Sequence, residues 1–147
     1  MNDPNILEFL LVEDNPHDAE LTLRALRRHN VSNQFVHVQD GGDALDFLYG
    51  RGKYQGRDIE QRPRVVLLDL KLPKVNGLEV LRTIKGDENL CHIPVVIVTS
   101  STEDPDIKTA YELGANSYVV KPVEFDAFVN AMSHLGLYWL LVNRPLK

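Results

Sequence analysis

Four apolar runs in the sequence each end on a polar residue that can do chemistry. Glu13 and Asp14 close the run that begins at Ile6, and Asp69 closes Val65 to Leu68. Thr99, with Ser100 and Ser101 behind it, closes Ile93 to Val98, and Lys121-Pro122 closes Ser117 to Val120. Brought to one place, Glu13, Asp14 and Asp69 would repel one another. Such carboxylates either raise one another's pKa values or hold a hard cation, and an all-oxygen site with room for water and phosphate suits Mg²⁺. The Lys121 ammonium and the Thr99 hydroxyl complement that set, giving a nearly neutral pocket that a phosphoryl group could enter, with Asp69 as candidate nucleophile. Taken singly, each residue has a blander explanation. Asp14 or Asn15 caps a helix, Asp69 forms a turn, Thr99 ends a strand and Lys121 is a solvated charge. The set has meaning only if the chain brings the ends of these runs together.

The pattern of elements predicts that it does. Ile6 to Val12 reads as a buried strand, too short for a globular helix. Asn15-Pro16 is a cap followed by proline at a first helical position, and Ala19, Leu23 and Leu26 share one face of a helix that runs to about Asn30. A second strand is expected over Gln34 to Gln39 and a second helix over Asp43 to Tyr49, broken at Gly50. Arg51 to Arg64 reads as an exposed connector, with an extension of the second helix as the alternative. Strands over Val65 to Leu68, Ile93 to Val98 and Ser117 to Val120 then alternate with helices through Leu78 to Ile84, Pro105 to Leu113 and Glu124 to Leu135. Five strand-helix units with strands apolar at nearly every position imply a doubly wound α/β fold: a mostly parallel sheet covered on both faces. In such sheets the functional crevice lies beyond the carboxyl ends of the strands, where the residues named above stand.

Composition narrows the classes further. A chain of 147 residues fits one domain that buries roughly 68 to 70% of its unfolded surface. At 44% hydrophobic and 25% charged residues it is globular rather than disordered. Its 16 Lys and Arg against 21 Asp and Glu leave a net charge of -5, with no surplus to neutralise a phosphate backbone, so direct nucleic-acid binding is not expected. The lone Cys91 excludes an intrachain disulfide and a zinc cluster. No run is long enough to span a bilayer and the start lacks a basic signal region, so a cytoplasmic location without membrane contact is expected. His17, His29, His37, His92 and His134 share no ligand spacing and read as surface or packing residues.

The motifs LLVEDNP at Leu10 to Pro16, LLDLKLPKVNG at Leu67 to Gly77, PVVIVTSS at Pro94 to Ser101 and GANSYVVKP at Gly114 to Pro122 together resemble the receiver domain of two-component response regulators. The resemblance covers nearly the whole chain and implies a flavodoxin-like five-stranded parallel sheet in the order 2-1-3-4-5, helices on both faces. It implies Asp69 as phosphoacceptor, and Mg²⁺ held by Glu13, Asp14, Asp69 and the backbone carbonyl of Lys71. Lys121 would pair with a phosphoryl oxygen, and Thr99 would turn toward the phosphoryl group while Tyr118 fills the vacated space as switch residue. A Tyr118 that merely packs is the plainer alternative. The family's Lys-Pro bond is typically cis, which suits Lys121-Pro122. Lys71 and Ser101 stand where the family tunes hydrolysis of the acyl phosphate.

The implied function is that of a two-component response regulator. It accepts a phosphoryl group from a sensor histidine kinase on Asp69 and signals through a changed protein-contact surface, without an output domain. The alternative is a phosphorelay shuttle that passes the group to a histidine phosphotransfer protein. The protein is expected to be a phosphoacceptor with weak Mg²⁺-dependent self-dephosphorylation rather than a metabolic enzyme. The connector before Pro63 and the apolar segment from Tyr138 to Val142 resemble, more narrowly, stand-alone receivers that partner phytochrome-type histidine kinases. Residues 1–147 are thus expected to form a single receiver domain with a C-terminal apolar extension at about 137–147, through which Tyr138, Trp139 and Leu141 join a homodimer.

Three rivals fit less well. A haloacid-dehalogenase-type phosphatase wants a second acid two residues after its Asp, where this chain has Lys71. A flavodoxin-like carrier needs Ser, Thr or Gly donors where Glu13 and Asp14 would repel phosphate. A phosphorylation-independent adaptor would not need the intact acid set.

Overall fold

The computed structural model describes residues 9–28, 35–100 and 104–137. Five strands, β1 (Phe9–Val12), β2 (Phe35–Val38), β3 (Val65–Asp69), β4 (Val95–Thr99) and β5 (Ser117–Val120), form one parallel sheet in the order β2-β1-β3-β4-β5. Helices α1 (Pro16–Arg28), α2 (Gly41–Tyr49), α3 (Gly77–Gly86), α4 (Asp106–Glu112) and α5 (Phe125–His134) alternate with them. The expected doubly wound fold and strand order are therefore observed. Tyr138, Trp139 and Leu141 lie outside the described residues, as does Ser101.

Side chains of successive strand residues point to opposite faces, and that alternation sorts the core into two layers. Leu10, Val12, Val66, Leu68, Val95 and Ile97 pack with residues of α2 and α3 and with Ala110 of α4. Phe9, Leu11, Val65, Leu67, Val96, Val98 and Val119 pack with Ala19 and Leu26 of α1 and with Phe128, Ala131 and Met132 of α5. Every residue of β1, β3 and β4 is buried, because these strands are covered on both faces and flanked on both edges. β2 and β5 are the sheet edges and are half-exposed.

Helix starts follow local chemistry. Asn15 Oδ1 accepts the N–H groups of His17 (2.9 Å) and Asp18 (3.0 Å), so Asn15 caps α1 as its sequence predicts. α2 begins at Gly41, ahead of the predicted Asp43, because Asp40 caps it through a 2.7 Å bond from the Asp43 N–H. A β-carbon at Gly41 would collide with the Val75 carbonyl oxygen, and one at Gly77 would sit 2.5 Å from the Asp69 carbonyl oxygen. These two contacts press the loop after β3 against α2 and fix the chain directly beyond Asp69.

The connector does not extend α2. Gly50 ends that helix in the left-handed conformation, and a short 3-10 turn follows at Gly52–Tyr54. It is also tethered rather than free. The Arg57 guanidinium lies 3.9 Å from the Phe47 ring centroid, donates from Nε to the Phe47 carbonyl at 2.8 Å, and bonds the carbonyls of Asp58 and Gln61.

Candidate functional site

Strand alternation carries through to the sheet's carboxyl edge. Glu13 continues the parity of Phe9 and Leu11, Asp69 that of Val65 and Leu67, and Lys121 that of Ser117 and Val119, which places all three on the α1 and α5 side. Strand order brings them within reach, since β1 and β3 are neighbours and β5 lies two strands beyond β3, across β4. Lys121 Nζ lies 2.8 Å from Glu13 Oε1 and 2.9 Å from Asp69 Oδ2. Its own backbone is pinned by the Lys121 N–H donating to the Thr99 carbonyl at 2.7 Å, and its peptide bond to Pro122 is cis, as expected.

Asp69 is 7% exposed. Its Oδ1 accepts the Lys71 N–H at 3.0 Å while Oδ2 accepts from Lys121. Glu13 is 2% exposed, and its Oε2 accepts the Asn15 N–H at 3.2 Å. Burial pushes the Glu13 carboxyl up to about 7, against the pull of its bond to Lys121, and the nearby Asp69 charge adds to the rise. Burial alone would lower the Lys121 ammonium, but its bonds to Glu13 and Asp69 outweigh that and hold it above its ordinary value.

Asp14 is exposed beside this buried pair, and Glu13, Asp14 and Asp69 each offer an oxygen within 4.8 Å of the others. Oxygen donors of high charge density, two of them buried and one open to water, fit a hard divalent cation that keeps part of its hydration shell. Thr99 and Tyr118 follow the opposite parity, toward α4. Thr99 is 4% exposed at the end of β4, and Tyr118 is half-buried against the α2–α4 layer. The Tyr118 ring meets Tyr111 of α4 edge to face, with centroids 6.3 Å apart. Lys71 carries an exposed side chain on the loop after β3.

One member of the cluster is absent from the sequence reading. Asp18 Oδ2 approaches Lys121 Nζ to 3.2 Å from the first turn of α1. No sequence pattern marks it, because an acid in the first turn of a helix is ordinary.

Comparisons with known proteins place the chain in a family. Residues 9–133 match the model of the response regulator receiver domain. A solved structure of the bacteriophytochrome response regulator AtBRR is 54% identical and superposes with a TM-score of 0.86, covering 96% of this chain and 100% of that one. The response regulator Rcp1 of Synechocystis sp. is 34% identical over 95% of this chain and 91% of its own length. The Mn(2+)-bound form of Rcp1 superposes with a TM-score of 0.73 over 96% of this chain and 99% of that one. The probable methanogenesis regulatory protein FilR2 of Methanothrix harundinacea is 44% identical over 97% of this chain and 88% of its own length. Receiver fold, carboxyl-edge acid cluster and family match converge: the chain belongs to the response regulator receiver domain family and is a two-component response regulator related to those of phytochrome systems.

Proposed function

We propose that Asp69 accepts a phosphoryl group from the phosphohistidine of a phytochrome-type sensor kinase. One observation carries the reading: the Asp69 carboxylate is buried at the end of β3, with one oxygen on a backbone N–H and the other on an ammonium. Those two bonds orient the carboxylate toward an in-line donor. An Asp69 oxygen forms the new bond to phosphorus as the bond to the kinase imidazole breaks, and the electron pair leaves on that nitrogen. Lys121 then neutralises charge on the transferred group, while the closely packed loop beyond Asp69 limits its movement.

Glu13, Asp14 and Asp69, together with the Lys71 carbonyl, would hold Mg²⁺, whose presence would neutralise charge on the phosphoryl oxygens. Thr99 and Tyr118, side by side in parity toward α4, would relay the change to the α4 and β5 surface. Self-dephosphorylation is expected to be weak. A cytoplasmic setting is favoured by the free, exposed Cys91, and among the described residues no helix is long and apolar enough to cross a membrane. Residues 1–147 would act as one receiver with its apolar end at about 137–147 as a dimer contact.

The test is phosphotransfer from an autophosphorylated phytochrome-type kinase in Mg²⁺. Wild type should be labelled and Asp69→Asn should not, because an amide oxygen is too poor a nucleophile and removes one charge of the cation site. Equal labelling of both proteins would refute the assignment.

A further inference from the structure

An ammonium has three N–H donors and no acceptor. Lys121 presents them to three carboxylates, Glu13 at 2.8 Å, Asp69 at 2.9 Å and Asp18 at 3.2 Å, so all its donors are engaged. A phosphoryl oxygen arriving at Asp69 has to take a donor from one of them. Glu13 is enclosed, with 2% of its side chain exposed, and Asp69 is the group being modified. Asp18 is the outlying partner: it makes the longest contact, and its side chain is 34% exposed. Its backbone position is fixed, because its N–H donates to Asn15 Oδ1 at the cap of α1. Only a side-chain rotation is needed to release the contact.

We propose that Asp18 is a positioning residue that occupies the Lys121 N–H which a phosphoryl oxygen takes, and that phosphorylation of Asp69 displaces it. This rests on the reading of Asp69 as phosphoacceptor. Until then Asp18 holds the ammonium at the mouth of the pocket, between α1 and β5. Its charge also opposes an incoming dianion, so it slows phosphorylation in exchange for a preset ammonium. With acetyl phosphate as donor the step balances simply. An Asp69 oxygen bonds to phosphorus, the bridging P–O bond breaks, and acetate leaves with the electron pair.

The experiment uses the full chain at saturating Mg²⁺ with acetyl phosphate, comparing wild type, Asp18→Ala, Asp18→Asn and a charge control, Glu20→Ala. Glu20 is an exposed acid of the same helix, paired with Arg24 rather than Lys121. Both Asp18 variants should be phosphorylated roughly two- to fivefold faster than wild type, as expected for removing one partly exposed like charge, and the gain should shrink with added salt. Glu20→Ala should match wild type. In metal-free protein, the Lys121 Nζ nitrogen resonance should shift in Asp18→Ala and stay in place in Glu20→Ala. Labelled wild type with Asp18 variants no faster, or an unmoved Lys121 resonance, would overturn the role of Asp18 alone. A wild type that acetyl phosphate fails to label, or one labelled equally after Asp69→Asn, would overturn the phosphoacceptor reading and this inference with it.

Discussion

Glu13, Asp14 and Asp69 repel one another within 4.8 Å, with one ammonium, Lys121, among them in the described residues. Neutralising the exposed Asp14 should therefore raise the stability of the metal-free protein, by about 1 kcal/mol for one relieved like-charge contact near the surface. Thermal unfolding of Asp14→Asn in chelator checks this, and a lower melting temperature than wild type would contradict it. Hydrolysis is the other residue-scale property. A water attacking the acyl phosphate needs an acceptor to orient it, and Lys71 offers an exposed ammonium where a carboxamide or carboxylate would serve. The purified phosphoprotein in Mg²⁺ should therefore persist for about minutes or longer, and its disappearance within seconds would exclude the idea. At this scale the sequence was informative where a residue ends a strand. Glu13, Asp69, Thr99 and Lys121 each follow an apolar run, whereas Asp18 lies inside a helix where an acid has an ordinary reason to be, namely the positive end of the helix dipole.

Between elements, the end of α2 is tied to the end of α3 by a 2.6 Å bond from the Tyr49 hydroxyl to Asp87 Oδ2. Burial and the adjacent Asp87 carboxylate push the Tyr49 phenol from its ordinary 10.0 up to about 12, and the same bond holds Asp87 below the usual carboxylate range. Because the folded state favours the neutral phenol, the Tyr49 contribution is complete below about pH 10 and is lost as pH rises through about 12. The Asp87 contribution has the opposite sense. It is present above the ordinary carboxylate pKa and lost as pH falls through its depressed value. Tyr49→Phe should cost about 1 kcal/mol near neutral pH, with a deficit that narrows above about pH 10. Urea unfolding at several pH values reads both, and a pH-independent deficit would show that packing, not the hydrogen bond, is responsible. This link joins residues 38 apart, so no local pattern could announce it. The same holds for Arg57, which reads as connector charge until folding lays it over Phe47. Strand and helix types were legible from periodicity, while boundaries shifted where a cap such as Asp40 decided them.

For the molecule as a whole, parallel order and strand alternation do the essential placement: Glu13, Asp69 and Lys121 face α1 and α5, and Thr99 and Tyr118 face α4. That division was written in the strand sequences, since period 2 assigns each residue its side once the strands are recognised. What periodicity could not supply was the neighbour relation of β1 with β3, which the motif resemblance provided and the sheet shows. The proposed homodimer belongs to this scale. Tyr138, Trp139 and Leu141 form an apolar sequence beyond a sheet whose faces are already covered, the composition of an anchoring contact. Sedimentation at about tens of micromolar should show a dimer for wild type and a monomer for the double variant Trp139→Glu and Leu141→Lys. A wild type that stays monomeric with and without beryllofluoride would remove the dimer.

Whether phosphorus bonds to a carboxylate oxygen of Asp69 is read by borohydride trapping with peptide mass spectrometry. Wild type phosphorylated in Mg²⁺ and reduced should carry homoserine in place of aspartate at position 69 and at no other acid. Reduction at Asp14, at Glu13 or nowhere, in protein shown to hold the label, would contradict the Asp69 assignment.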